Sequence, residues 1–223
     1  MSAAPIRCVL FDLDGTLADT APDLGRALNV LRVERGHAPM PIDELRSHVS
    51  HGARGMLEVG LGIRPGEPEF DSLRERFLAL YEQDIMVDSR LFDGMPALLD
   101  GLETRGLAWG IVTNKAEYLA RPLVDALGVA ARSRCLVGGD TTGRAKPYPD
   151  PLLAGARAVG VDPAQCLYVG DDRRDVQASL AAGMTPVVAL YGYLYGADPH
   201  DWGADWMIAH PEELLDGLVG RVG

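Results

Sequence analysis

The stretch Val9-Leu10-Phe11-Asp12-Leu13-Asp14-Gly15-Thr16-Leu17 leads an apolar run into two carboxylates separated by one residue. The run reads as a buried strand, and on extended backbone alternate side chains share a side, so Asp12 and Asp14 are expected to face the same way. Gly15 permits the turn that follows. Two neighbouring carboxylates repel and shift each other's pKa unless a cation sits between them. A hard divalent ion such as Mg²⁺ suits that arrangement, because it takes carboxylate oxygens and keeps positions for water and phosphate. A plain Asp-Gly turn after a strand explains the stretch equally well on its own.

Similar apolar, often β-branched runs recur at 108–113, 135–138, 166–170 and 186–190, with a weaker one at 206–208. Helix-like stretches at 96–105, 116–127, 151–159 and 175–182 alternate with them. This alternation predicts an α/β fold with a mainly parallel sheet covered on both faces. Ligands in such sheets lie at the carboxyl ends of the strands. From 18 to 89 the alternation lapses into helical spacing, with Leu24, Leu28 and Leu31 on one face and Phe70, Leu73, Phe77 and Leu80 on another. Thr20-Ala21-Pro22 offers a helix start and Gly36 a stop, and breakers at 38–41 and 62–68 divide the rest. The expected organisation is therefore a core in two parts, 1–17 and 90–223, with a helical insertion at 18–89 that rocks on linkers at 18–20 and 89–92.

The 223 residues carry 32 acidic against 21 basic side chains, a net charge of −11 that repels nucleic acid and anionic membranes. No apolar run approaches the roughly 20 residues of a spanning helix, and the N-terminal stretch lacks a secretion signal, so a cytoplasmic location is expected. Cys8, Cys135 and Cys166 are odd in number and far apart, which fits buried reduced thiols better than a disulfide framework.

Three further strand ends carry polar groups. Thr113-Asn114 supplies a hydroxyl and an amide, Lys146 precedes Pro147, and Asp171, Asp172 and Asp175 follow another apolar run. Singly, these read as a helix cap, a solvated lysine and a first-turn acidic cluster. In this order, each after its own strand, they read as one site.

At these residues the chain resembles the haloacid dehalogenase superfamily, in its phosphatase branch with a helical cap. Asp12-Leu13-Asp14-Gly15-Thr16 matches the first motif, Thr113 the second, Lys146 the third, and Gly170-Asp171-Asp172 with Asp175 the fourth. The resemblance implies a Rossmann-like core with an inserted α-helical cap. It implies Asp12 as a nucleophile forming an aspartyl phosphate and Asp14 as the general acid and base. It further implies Mg²⁺ held by Asp12, the Asp14 carbonyl and Asp171, with Asp172 or Asp175 in support, and phosphate held by Thr113, Asn114 and Lys146. Dehalogenase members lack the second carboxylate, which is present here as Asp14. Mutases of the β-phosphoglucomutase type share both aspartates but resemble members with Glu-Asp where this chain has Gly170-Asp171.

The substrate end is expected in the insertion. His48, His51 and Arg54 follow three-residue spacing and share a face if one helix runs through them. Gly52 and Gly55 suit close backbone approach or a hinge. Tyr191, Tyr193 and Tyr195 either line the mouth of the site or serve an edge and its loop. This tail, with the stretches around Phe92 and Thr113, resembles both bacterial phosphoglycolate phosphatases and N-acetylmuramic acid 6-phosphate phosphatases. The expected partner is thus a small phosphorylated metabolite bearing a carboxylate that Arg54, aided by His51, pairs with; 2-phosphoglycolate is favoured.

Overall fold

The computed structural model describes residues 5–196, 198–204 and 206–221. Residues 1–4, which open the stretch read for a secretion signal, and 197 and 205 in the aromatic tail lie outside the described residues. In chain order the first elements are β1 (Cys8–Phe11), β2 (Ala18–Asp19), α1 (Ala21–Glu34), α2 (Ile42–Leu45), a 3₁₀ turn (Arg46–His51), α3 (Gly52–Leu61), α4 (Phe70–Gln83) and β3 (Arg90–Leu91). There follow α5 (Met95–Thr104), β4 (Ala108–Val112), α6 (Glu117–Ala126), β5 (Leu136–Val137), α7 (Asp150–Val159), β6 (Cys166–Gly170), α8 (Arg173–Ala182), β7 (Thr185–Ala189), β8 (Trp206–Ile208) and α9 (Glu213–Gly217).

Among the described residues the strands form a six-stranded parallel sheet in the order β5-β4-β1-β6-β7-β8. All four side chains of β1 are fully buried, as its position between β4 and β6 with helices on both faces requires. One face packs Val9, Phe11, Trp109, Ile111 and Val169 against α5 and α6; the other packs Leu10, Val112 and Tyr168 against α7. The chain leaves β1 for β4 on one side and later reaches β6 on the other. That reversal opens a crevice at the carboxyl end of β1, where ligands bind in open α/β sheets. The α/β, Rossmann-like expectation is met.

Helices α1 to α4 lie between β2 and β3, which pair antiparallel with each other. Their own core gathers Leu24, Leu28, Leu31, Met56, Phe70, Phe77 and Tyr81. Leu80 is only half-buried and Tyr81 completes the apolar face of α4, a shift of one position that keeps the helical repeat from Phe77. Thr20 stands at the start of α1 with a proline in the first turn, yet its side chain makes no capping bond. The Tyr193 hydroxyl does that work instead, accepting from the Thr20 and Ala21 N–H groups at 2.6 and 2.9 Å.

Two local expectations are corrected. The β1 strand ends at Phe11, and although the Asp12 N–H still bonds the Val169 carbonyl, the chain turns from Leu13 to Leu17, with Asp14 in an isolated bridge to Ala18, so the two aspartates do not share one extended segment. Leu13 is fully buried between them, and its carbonyl accepts from Leu17 and Ala18. Nor does one helix run through His48, His51 and Arg54. The 3₁₀ turn stops at His51, and Gly52, the first residue of α3, adopts φ +58°. About two turns of tighter helix followed by this break change the angular spacing. The close approach expected of Gly55 is present, since a Cβ there would stand 2.5 Å from the His51 Cβ.

All three cysteines are free. Cys8 and Cys166 are fully buried and face each other in register on β1 and β6, while Cys135 is half-buried.

Candidate active site

The turn after β1 is held from beneath by Asp171. Its Oδ1 accepts from the Thr16 hydroxyl at 2.8 Å, and its Oδ2 accepts from the Tyr193 N–H at 3.0 Å and the Ser50 hydroxyl at 3.2 Å. Gly15, at φ +82°, passes so close that a Cβ would sit 2.3 Å from Asp171 Oδ2. Only glycine serves there, because both the conformation and the space exclude a side chain.

Asp12 and Asp14 diverge onto separate lysines. Lys146, almost fully buried, places Nζ 2.9 Å from Asp12 Oδ2 and 2.7 Å from Asp175 Oδ1, and donates to the Tyr168 hydroxyl at 2.8 Å. Burial opposes its charge, but the Asp12 and Asp175 carboxylates outweigh that and raise the ammonium pKa. Asn114 positions this lysine by a reciprocal pair of bonds: its amide donates to the Lys146 carbonyl and its Oδ1 accepts from the Lys146 N–H. Lys115 was not singled out in the sequence. It lies 2.9 Å from Asp14 Oδ1 and 4.5 Å above the Tyr81 ring centre. Thr20 donates to the same Asp14 oxygen at 2.6 Å.

Asp172 and Asp175 share the start of α8 as a capping box, which satisfies two of the backbone donors a helix leaves open. Asp172 turns to Arg174, bonding its Nε and Nη2 at 2.8 and 2.9 Å. Arg174 in turn donates to the Ser50 carbonyl at 2.6 Å, so α8 grips the helical layer. The helix-cap reading of Thr113-Asn114 fails, because α6 starts at Glu117, whose N–H bonds Asp140. The Thr113 hydroxyl accepts from the Lys115 N–H at 3.1 Å.

Oxygens of Asp12, Asp171 and Asp175 lie within 4.8 Å of one another, a set that could hold a metal ion. Burial first, then the Asp12 and Asp175 carboxylates, push the Asp171 carboxyl well above the usual carboxylate range. Lys146 serves Asp12 and Asp175, Lys115 serves Asp14 and Arg174 serves Asp172, while Asp171 has only uncharged donors. When all five carboxyls are ionised they exceed the three cations by two charges, and an all-oxygen set with that deficit fits a hard divalent ion, which would itself hold Asp171 ionised.

These groups open on a cavity of about 370 Å³ between the strand ends and the helical layer. Asp12, Asp14, Thr113, Asn114, Lys146 and Asp175 line its floor. Apolar side chains from the helices, among them Leu24, Val49, Phe77 and Leu78, line its roof with His51, Arg54 and Arg74. Burial and the Arg174 charge lower the His51 pKa. His48 is not among the lining residues; its ring and that of His51 pack edge-on against Tyr195, with centres 5.1 and 4.4 Å apart. Tyr191 and Tyr193 are hydrogen-bonded into the base of the layer, Tyr191 to the Thr16 carbonyl at 3.1 Å and Tyr193 to Asp19 at 2.9 Å. The tyrosines therefore join the tail to the first motif and the insertion. Among the described residues no helix is long and apolar enough to cross a membrane.

Comparison with known proteins agrees with this geometry. A phosphoglycolate phosphatase of Xanthomonas campestris is 46% identical over 211 residues, covering 94% of this chain and 95% of its own. An N-acetylmuramic acid 6-phosphate phosphatase of Pseudomonas aeruginosa is 42% identical over 219 residues, covering 98% and 97%. A crystal structure from Haemophilus somnus, described as a predicted phosphoglycolate phosphatase, superposes with a TM-score of 0.84 at 25% identity over 95% of this chain and 97% of that one. The sequence profile of haloacid dehalogenase-like hydrolases matches residues 9–189, which hold every strand-end group described above, and the chain belongs to that family.

Proposed function

We propose that the protein is a Mg²⁺-dependent phosphatase of a small phosphorylated carboxylic acid, acting through an aspartyl phosphate on Asp12. The convergence of Asp12, Asp171 and Asp175 oxygens within 4.8 Å carries this reading, with Asp12 and Asp175 on the floor of a cavity they share with Asp14, Thr113 and Lys146 and Asp171 buried behind them. Asp12, Asp171 and the Asp14 carbonyl would hold Mg²⁺, which when bound neutralises the carboxylates and draws charge from the phosphoryl oxygens.

An Asp12 carboxylate oxygen attacks phosphorus as the ester P–O bond breaks, and the leaving oxygen takes a proton from Asp14. Lys115 and Thr20 both hold Asp14 Oδ1, so Oδ2 is the oxygen that gives and later takes the proton. In the second step Asp14 removes a proton from water, the water oxygen attacks phosphorus, and the bond to Asp12 breaks. Lys146 and the Thr113 hydroxyl stabilise the charge that gathers on the phosphoryl oxygens. Asn114 acts through its clasp on the Lys146 backbone. Asp175 anchors the Lys146 ammonium, and Asp172 holds Arg174.

The favoured substrate is 2-phosphoglycolate, in line with the 46% identical relative of that name. N-Acetylmuramic acid 6-phosphate is the second reading. It is favoured by the 42% identical relative and by the cavity, whose volume and apolar roof have room for a sugar-sized body. A side chain at Gly170 would meet the Asp175 carboxyl group at 2.4 Å, which leaves no place for the glutamate of the mutase-type Glu-Asp pair, and on that departure hydrolysis is favoured over a mutase reaction. Asp12→Asn is expected to stay folded and to lose phosphate release by more than about 10³-fold. Removal of divalent cations from the wild type should silence it until Mg²⁺ is returned. Turnover retained by Asp12→Asn in a colorimetric phosphate assay would falsify the assignment, and phosphate moved between sugar positions without release would favour the mutase.

A further inference from the structure

Eight arginines lie between residues 21 and 83. Six have partners within the protein: Arg26 with Asp23, Arg32 with the Ala38 carbonyl, Arg35 with Glu69, Arg46 with Asp19, Arg64 with Glu58 and Arg76 with Glu34. Arg54 and Arg74 have no acidic or carbonyl partner among the described residues, and of the eight only these two line the cavity. Both are exposed, so water solvates them until a ligand enters, and what sets them apart from the other arginines of these helices is their place on the cavity wall.

Their placement follows from the helices that carry them. On α4 the buried Phe77 and Tyr81 fix the face that looks inward, and Arg74, three and seven residues before them, lies exposed at the edge of that face where it borders the cavity. Arg54 stands in the first turn of α3, immediately after the Gly52 break that redirects the chain. The cavity wall they share with Val49, Phe77 and Leu78 offers a charged group no partner from those apolar side chains.

Resting on the phosphatase reading, we propose that Arg54 and Arg74 together bind a carboxylate of the substrate, Arg74 being a specificity residue alongside Arg54. The phosphate needs neither of them, since Lys146, Thr113 and a divalent ion suffice on the floor. A second anionic group is the chemistry that two unpaired guanidinium forks recognise.

The test uses two pairs of phosphate esters that differ in the carboxylate: 2-phosphoglycolate against 2-hydroxyethyl phosphate, and N-acetylmuramic acid 6-phosphate against N-acetylglucosamine 6-phosphate. For each pair the ratio of kcat/KM, carboxylated over uncarboxylated, is measured for wild type, Arg54→Ala, Arg74→Ala and Arg76→Ala. Both cavity variants should lower the ratio by about 10- to 100-fold, mainly through KM, with partial rescue by lysine. Arg76→Ala, on the same helix but paired with Glu34, should leave the ratio at the wild-type value. The pair that shows the drop tells whether the carboxylate belongs to a two-carbon acid or a sugar acid. A ratio unchanged by Arg74→Ala, or lowered equally by Arg76→Ala, overturns the proposal. Wild-type protein that releases phosphate from none of the four esters would instead overturn the phosphatase reading beneath it.

Discussion

On the floor of the cavity Lys115, Lys146 and Arg174 each hold aspartates of their own chain, whereas on the roof Arg54 and Arg74 hold none. The floor is internally matched except for Asp171, and its deficit is that of a divalent ion. The roof is unmatched in the opposite sense. Charges paired within the chain fix geometry before any ligand arrives, which is what phosphoryl chemistry demands of the groups that carry it. On the reading proposed above, the unpaired charges are where the ligand completes the match.

The sharpest way to break this contrast is on the floor. Lys146→Met leaves Asp12 and Asp175 facing each other without their shared cation. Loss of one partner from a buried ion pair costs about 3–5 kcal/mol, and urea denaturation should show a loss of that order together with loss of turnover. Exposed pairs on the outside of the helical layer, such as Arg35 with Glu69, should cost less than about 1 kcal/mol when broken. A Lys146→Met variant as stable as wild type would mean that the floor is not held by its internal pairs.

The same contrast explains what could be read in the sequence. Asp12, Asp14, Thr113 and Asp171 each follow an apolar run closely, so strand prediction alone brings them to one edge of a sheet, and Lys146 joins them from the loop nine residues beyond β5. Lys115 follows Thr113-Asn114 directly but reads as an ordinary charged residue at a helix start. Only the approach of α4, which lays the Tyr81 ring beneath it, shows that it is buried. Arg74 is harder still, because on an amphipathic helix a charged residue beside the apolar face looks like any solvated arginine. Its distinction is the lack of a partner, which is a property of the folded molecule. The tail tyrosines carried a signal in their clustering, but their hydrogen bonds to the first motif and the insertion span more than 170 residues.

Beside the linkers proposed as the hinge, Asp23 ties the start of the helical layer to the stretch that leaves it. Fully buried in the first turn of α1, its carboxylate accepts from the N–H groups of Val87, Asp88 and Ser89 and from the Ser89 hydroxyl at 2.6 to 3.0 Å. Burial works to raise its pKa, but the bonds from Ser89, Asp88 and Val87 prevail and lower it below the ordinary value of 3.8. A carboxyl with a depressed folded pKa stabilises fully above its unfolded pKa, and that contribution is lost as pH falls through the folded value. Asp23→Asn, which turns an amide donor toward backbone donors, should therefore cost about 2–3 kcal/mol near pH 7. The gap between wild type and variant should close as pH falls below about 4. Denaturation midpoints that differ equally at pH 7 and pH 3 would show that the ionised carboxylate is not the tie.

Tyr193 allows a finer cut, because it touches the floor and the helical layer through different atoms. Its backbone N–H donates to Asp171 on the floor, while its hydroxyl accepts from the Thr20 and Ala21 N–H groups and donates to Asp19. Burial, followed by the Asp19 charge, raises the phenol pKa well above its ordinary value, so the proton that Asp19 accepts stays in place. Tyr193→Phe keeps the floor contact and removes the contacts to the helical layer, leaving two buried N–H groups at the start of α1 without that partner. The expected cost is about 1–2 kcal/mol. Tyr191→Phe removes a single bond to the Thr16 carbonyl and should cost less, about 0.5–1 kcal/mol. Measured by urea denaturation, the two phenylalanine variants rank these ties directly. If Tyr191→Phe proves the more damaging, the start of α1 is held by something other than the tail hydroxyl, and the tyrosine cluster joins the tail to the first motif alone.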